Sequence, residues 1–112
     1  MQTNRPISDV HPPLDIAQMR SSARVVTALL RALANEDRLM LLCQMTQGEI
    51  SVGDMEACLD IRQPTLSQQL GVLRAEGVVT TRREGKRIFY AVTDPNMVVL
   101  LNTLYTLYCQ KS

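Results

Sequence analysis

Between Gln63 and Val92 the spacing of apolar residues switches from a helical to a strand period, and few architectures accommodate that switch. Leu66, Leu70 and Leu73 recur at steps of three and four, which defines the buried face of a helix. That helix opens at Gln63-Pro64, since proline is accommodated at the first helical position, and it stops at Gly77. Val78 to Arg83 and Arg87 to Val92 are two runs of β-favouring residues. Glu84-Gly85-Lys86 joins them as a hairpin turn, with Gly85 supplying a positive φ that other residues resist.

Helices account for the remainder. Leu14 to Leu33 sets Met19, Ala23, Val26, Leu30 and Leu33 on one side, with Arg20, Arg24, Thr27 and Arg31 opposite. Asn35 is a helix N-cap, and Glu36 and Asp37 suit the positive end of the helix dipole behind it. The helix they open is apolar nearly all round, through Leu39, Met40, Leu41, Leu42, Cys43 and Met45, so it is expected to be central, ending near Gly48. Ser51-Val52-Gly53-Asp54 has capping-box spacing, in which Ser51 caps and Asp54 reaches back, before a short helix to about Leu59. Asp94-Pro95 opens a last helix. Its apolar arc (Val98, Leu100, Leu101, Leu104, Tyr105, Leu107, Tyr108) is too wide for one contact, so the first and last helices are expected to form a homodimer interface.

A chain of 112 residues, 46% hydrophobic and 21% charged, fits one ordinary globular domain rather than a disordered segment. Residues 1–13, with Pro6, Pro12 and Pro13, read as a flexible N-terminal arm ahead of a domain over 14–110. No run approaches the roughly 20 apolar residues of a membrane span, and the start has no signal-like apolar stretch. A cytoplasmic protein without a membrane partner is expected, with reduced cysteines. The net charge of +1 hides an asymmetry: Ile61 to Tyr90 holds six Arg and Lys against two Glu, a local net of +4. A phosphate backbone attracts such a surface.

Two short helices and a basic hairpin make a winged helix-turn-helix, mainly α with a small β-hairpin wing. Its second helix must bury one face and offer small polar groups on the other to enter a major groove roughly 12 Å wide. Laid out at 100° intervals, Gln68 lies opposite the leucines, with Thr65, Ser67 and Gly71 beside it. Gln63, Thr65, Ser67, Gln68 and Gln69 are the candidate DNA contacts on this helix, Gln being able to pair bidentately with adenine. Arg82, Arg83, Lys86 and Arg87 are the candidates on the wing. Gly71 would admit a closely approaching surface. Pattern alone leaves a second reading open, a solvated amphipathic helix beside a charged hairpin.

Three stretches resemble the ArsR/SmtB family of bacterial repressors: Leu33 to Leu39, Gln63 to Leu70, and Arg82-Arg83-Glu84-Gly85-Lys86-Arg87-Ile88-Phe89-Tyr90. The resemblance implies a homodimer that binds an inverted-repeat operator in double-stranded DNA and is released by an inducer. Many members sense metals, but the positions matching the family's thiolate site hold Ser51 and Gly53. The last helix has no His or acid beyond Asp94, and the sole histidine is His11. No metal site and no cofactor are expected, though a metal-responsive repressor remains the alternative.

Cys43 and Cys109 could simply be small hydrophobes. Their surroundings, Leu41-Leu42-Cys43 and Leu104 to Cys109, resemble the BigR-type subgroup, which senses persulfides or oxidants with a cysteine at each place. That resemblance implies a low-pKa thiolate that attacks a reactive sulfur species or oxidant and closes a Cys43–Cys109 di- or polysulfide bridge, weakening operator binding. Cys58 lies outside the subgroup pattern and reads as a packing or adventitious thiol. A thiol oxidoreductase using the same cysteines lacks a Cys-x-x-Cys and any cofactor motif, so no enzymatic activity is expected. A winged module that binds protein instead of DNA is opposed by the polar helical face and the basic wing.

Overall fold

The computed structural model describes residues 14–109. The expected arm and His11 lie outside the described residues, as does Gln110. Five helices and a three-stranded antiparallel sheet form a winged helix-turn-helix: α1 (Ile16–Leu33), α2 (Glu36–Met45), β1 (Ile50–Ser51), α3 (Val52–Leu59), α4 (Thr65–Ala75), β2 (Val79–Glu84), β3 (Arg87–Val92) and α5 (Pro95–Tyr108).

Side-chain caps set most of the boundaries. Asp15, Asn35, Ser51 and Asp94 each accept a hydrogen bond from a backbone N–H in the helix they open. Only half of the expected capping box forms. Ser51 Oγ accepts from Asp54 N at 3.2 Å, whereas the Asp54 carboxylate turns to Arg87 instead of back to Ser51. Proline behaves differently at its two helix starts. Pro95 occupies the first turn of α5, but Pro64 sits at the N-cap of α4 and Gln63 supplies the missing acceptor: its Oε1 receives Ser67 N at 3.2 Å and Ser67 Oγ at 2.5 Å. At the far end of α4, Gly77 takes φ 74°, Gly77 N donates to Arg74 O and Val78 N to Leu73 O, a Schellman closure that leads straight into β2.

The hairpin turn is one residue shorter than expected. Glu84 pairs with Arg87, leaving Gly85 (φ 63°) and Lys86 as the loop, the pattern of a type II′ turn. A third strand, β1, pairs Ile50 with Tyr90 and Ser51 with Phe89, placing β3 in the middle of the sheet.

Helix α2 is central, touching α1, α3, α4, α5 and β3. Leu41 and Leu42 on it are fully buried with Met55, Leu66, Leu73, Met97 and Leu101. One side stays open, where Met40 is exposed and Cys43 half-buried. Arg38 locks the helix to its neighbours. Its Nε donates to Ala32 O at 2.8 Å, its Nη2 to Arg31 O at 2.9 Å and its Nη1 to Gln69 Oε1 at 2.8 Å. The carbonyls at the end of α1 are thereby satisfied by a cation, as the helix dipole favours.

The outer helices are under-covered. On α5 the core takes Met97 and Leu101 and leaves Val99, Tyr105, Leu107 and Tyr108 exposed. Helix α1 buries only Ala32 and Leu33, leaving Met19, Val25, Val26 and Leu30 in the open. No helix among the described residues is long and apolar enough to cross a membrane.

Candidate nucleic-acid interface and cysteine pair

Helix α4 buries Leu66, Leu70 and Leu73, which turns Ser67, Gln68 and Gly71 outward and leaves Thr65 half-covered. Two glutamines expected to contact DNA are engaged within the protein. Gln69 is turned toward α2 and held by Arg38, because it flanks the buried stripe four residues before Leu73. Gln63 is occupied as the acceptor that caps α4. A Cβ added at Gly71 would meet nothing within 4 Å, so no described part of the chain requires the close approach that glycine permits there.

The helix and the wing do face a common space. Ser67, Gly71 and Arg74 of α4 line one concave surface of about 750 Å³ with Lys86 and Arg87 of the wing and the start of α3. Arg74 was not among the expected contacts. It lies seven residues, two helical turns, after Ser67, a spacing that puts both on one face.

Strand alternation divides the wing cations. Val79, Thr81 and Arg83 pair with Val92, Tyr90 and Ile88 on the face that meets the core, while Arg82 and Glu84 pair with Phe89 and Arg87 on the other. On that outer face Arg82 Nε donates to both Glu49 oxygens at 3.2 Å, and Nη2 pairs with Glu49 Oε1. These bonds hold the Glu49 carboxyl below the usual carboxylate range and push Arg82 further up. Arg87 Nη2 donates to Ser51 Oγ at 3.0 Å and to Asp54 Oδ2 at 3.2 Å. Both guanidinium carbons stand over the Phe89 ring, 4.6 Å and 5.0 Å from its centroid. Arg83 and Lys86 have no ion pair among the described residues.

Cys43 and Cys109 line a second concavity, of about 570 Å³, with Met40 and Tyr105 between α2 and α5. Both are free thiols, Cys43 half-buried and Cys109 exposed. Burial, and then the charge of Cys109, push the Cys43 thiol above its ordinary value. Alkylation of Cys43 by iodoacetamide, followed by mass spectrometry, is expected to climb only at alkaline pH, and Cys109→Ser to move that rise to lower pH by removing the repelling charge. An unmoved profile in Cys109→Ser would separate the two thiols. Cys58 is exposed on α3 and does not line this concavity. Among the described residues no three His, Cys, Asp or Glu converge as metal ligands would.

Known proteins share this fold. The profile described as "Bacterial regulatory protein, arsR family" matches residues 35–81. A biofilm growth-associated repressor of Agrobacterium fabrum is 53% identical over 102 residues, covering 87% of this chain and 87% of its own. The chain belongs to the arsR family of bacterial regulatory proteins. Among solved structures, the transcriptional repressor BigR from Xylella fastidiosa is 47% identical with a TM-score of 0.80, covering 88% of this chain and all of its own. Reduced HlyU from Vibrio cholerae is 38% identical with a TM-score of 0.79, covering 83% and 98%.

Proposed function

We propose that this arsR-family protein is a homodimeric transcriptional repressor of an inverted-repeat operator, released when Cys43 and Cys109 become bridged. Thr65, Ser67 and Gln68 offer the base-reading groups, and the wing adds cationic contacts to phosphate. The observation that carries the sensing half is the shared concavity that holds Cys43 of α2 and Cys109 of α5. Relatives named as repressors support the regulatory half.

The chemistry balances with a polysulfide as the inducer. The exposed Cys109 thiolate attacks a sulfane sulfur and displaces the shortened polysulfide anion, leaving a Cys109 persulfide. Cys43 then attacks Cys109 Sγ and expels hydrosulfide, so the two thiols are oxidised and one sulfane sulfur is reduced. Attack one sulfur further out on a longer chain leaves that sulfur in the bridge. A peroxide would act through a Cys109 sulfenic acid, with water leaving. Tying α2 to α5 lowers operator affinity by favouring a dimer geometry that fits DNA less well.

The test is fluorescence anisotropy with a duplex from upstream of the protein's own gene. The reduced protein is expected to bind, and polysulfide to weaken binding at least tenfold. Cys43→Ser and Cys109→Ser are each expected to bind as the reduced parent does and to ignore polysulfide. A normal response in either variant would end the two-cysteine switch.

A further inference from the structure

The wing carries four cations, and the structure commits two of them to the protein itself. Every donor nitrogen of Arg82 lies near a carboxylate: Nε and Nη2 at Glu49, Nη1 at 3.6 Å from Glu84. Arg87 reaches the opposite way, to Asp54 and to Ser51, which is 3% exposed and is both the α3 N-cap and the β1 partner of Phe89. Between them Phe89 supplies a ring that both guanidiniums overlie. The chain Glu49–Arg82–Phe89–Arg87–Asp54 thus runs across the outer face of the sheet, from the residue before β1 to the first turn of α3.

We propose that Arg82 and Arg87 are positioning residues that moor the wing to the start of α3, and that the phosphate contacts of the wing fall to Arg83 and Lys86. Arg83 follows Val79 and Thr81 on the face that meets the core, and β2 packs against α4. Lys86 stands in the turn and lines the concavity with Ser67 and Arg74 of α4; Arg87 lines it too, but bound to Ser51 and Asp54, whereas Lys86 has no ion pair among the described residues. These two cations therefore lie where a duplex seated on α4 would pass. The side chains of the mooring's ion pairs are 42% to 64% exposed, so each pair alone holds the hairpin weakly. Two ion pairs, two cation–ring contacts and the hydrogen bond to the buried Ser51 hold it together.

This division rests on the reading of the wing as a DNA contact, and the salt dependence of binding separates the two. Anisotropy of the full-length reduced protein is measured over a range of salt, with the upstream duplex and with a random-sequence duplex of equal length. Arg83→Ala and Lys86→Ala are expected to lower the log–log salt slope by about 0.9 for each phosphate contact removed. Arg82→Ala and Arg87→Ala are expected to weaken binding several-fold with the slope unchanged. Glu49→Gln is expected to bind no more tightly than the parent, although removal of a negative charge alone would tighten it. The exchanged pair Glu49→Arg with Arg82→Glu is expected to regain affinity that Arg82→Ala loses. A slope lowered by Arg82→Ala as much as by Lys86→Ala, or tighter binding by Glu49→Gln, overturns the division while leaving the wing on DNA. Slopes unchanged in all four cation variants overturn the wing contact and the division together.

Discussion

Protein carrying Leu30→Glu and Leu107→Glu is expected to sediment as a monomer and to lose roughly a thousandfold or more of its affinity for the upstream duplex. Leu30 is 50% exposed on α1 and Leu107 is 66% exposed on α5, within a set of large apolar side chains that no other described residue covers. Burial of such a set against a second copy is worth about 25 cal/mol for each Å² removed from water. A carboxylate placed there must shed its hydration to enter the contact, and in a two-fold interface every substitution counts twice. Loss of the dimer leaves one recognition helix on one half-site. Specific sites are bound at about 10⁻⁸–10⁻¹¹ M and non-specific DNA at about 10⁻⁴–10⁻⁶ M, which sets the scale of the fall. Sedimentation velocity and anisotropy on the same sample check it. A variant that remains dimeric and binds normally would move the subunit contact to another surface.

The second large effect belongs to the core. Leu41→Ala is expected to lower stability by about 2–5 kcal/mol, since it empties a fully buried position on the helix that every other helix touches. In a domain of this size each kcal/mol is worth about 4–8 °C in Tm, so the thermal midpoint should drop by at least roughly 10 °C. Met40→Ala, one residue earlier and 46% exposed, is the control and should cost less than about 1 kcal/mol. Thermal unfolding by circular dichroism at one fixed protein concentration compares them, because dimerisation makes the midpoint depend on concentration. Equal losses at the two positions would contradict the assigned face of α2.

Most of this fold was readable because its signals are local. Asn35, Ser51 and Asp94 each sit where a side-chain oxygen can reach a free N–H two or three residues on, and the structure uses all three. Gly77 and Gly85 announce turns that need positive φ. Strand β1 left no such trace. It is two residues long, and its partner Phe89 is far along the chain from Ser51. Pro64 obeyed the preference for helix starts but fell one position early, with Gln63 completing the cap. Gln69 was misread because its helical angle is borderline, and Arg38, distant in sequence, decided which way it turned. The pairing of Arg82 with Glu49 was hidden for the same reason, although strand alternation alone separates Arg82 from Arg83. Met97 and Met55 reached the core unannounced, and burial and the neighbouring Cys109, which push the Cys43 thiol up, left no mark in the sequence.

Arg38 gives one planar group two loads. It clasps the last carbonyls of α1, one of the two helices proposed to meet a second copy, and it also grips Gln69 on the helix proposed to read DNA. A twist of one protomer against the other that drags the end of α1 must therefore either swing α4 along with it or snap this clasp.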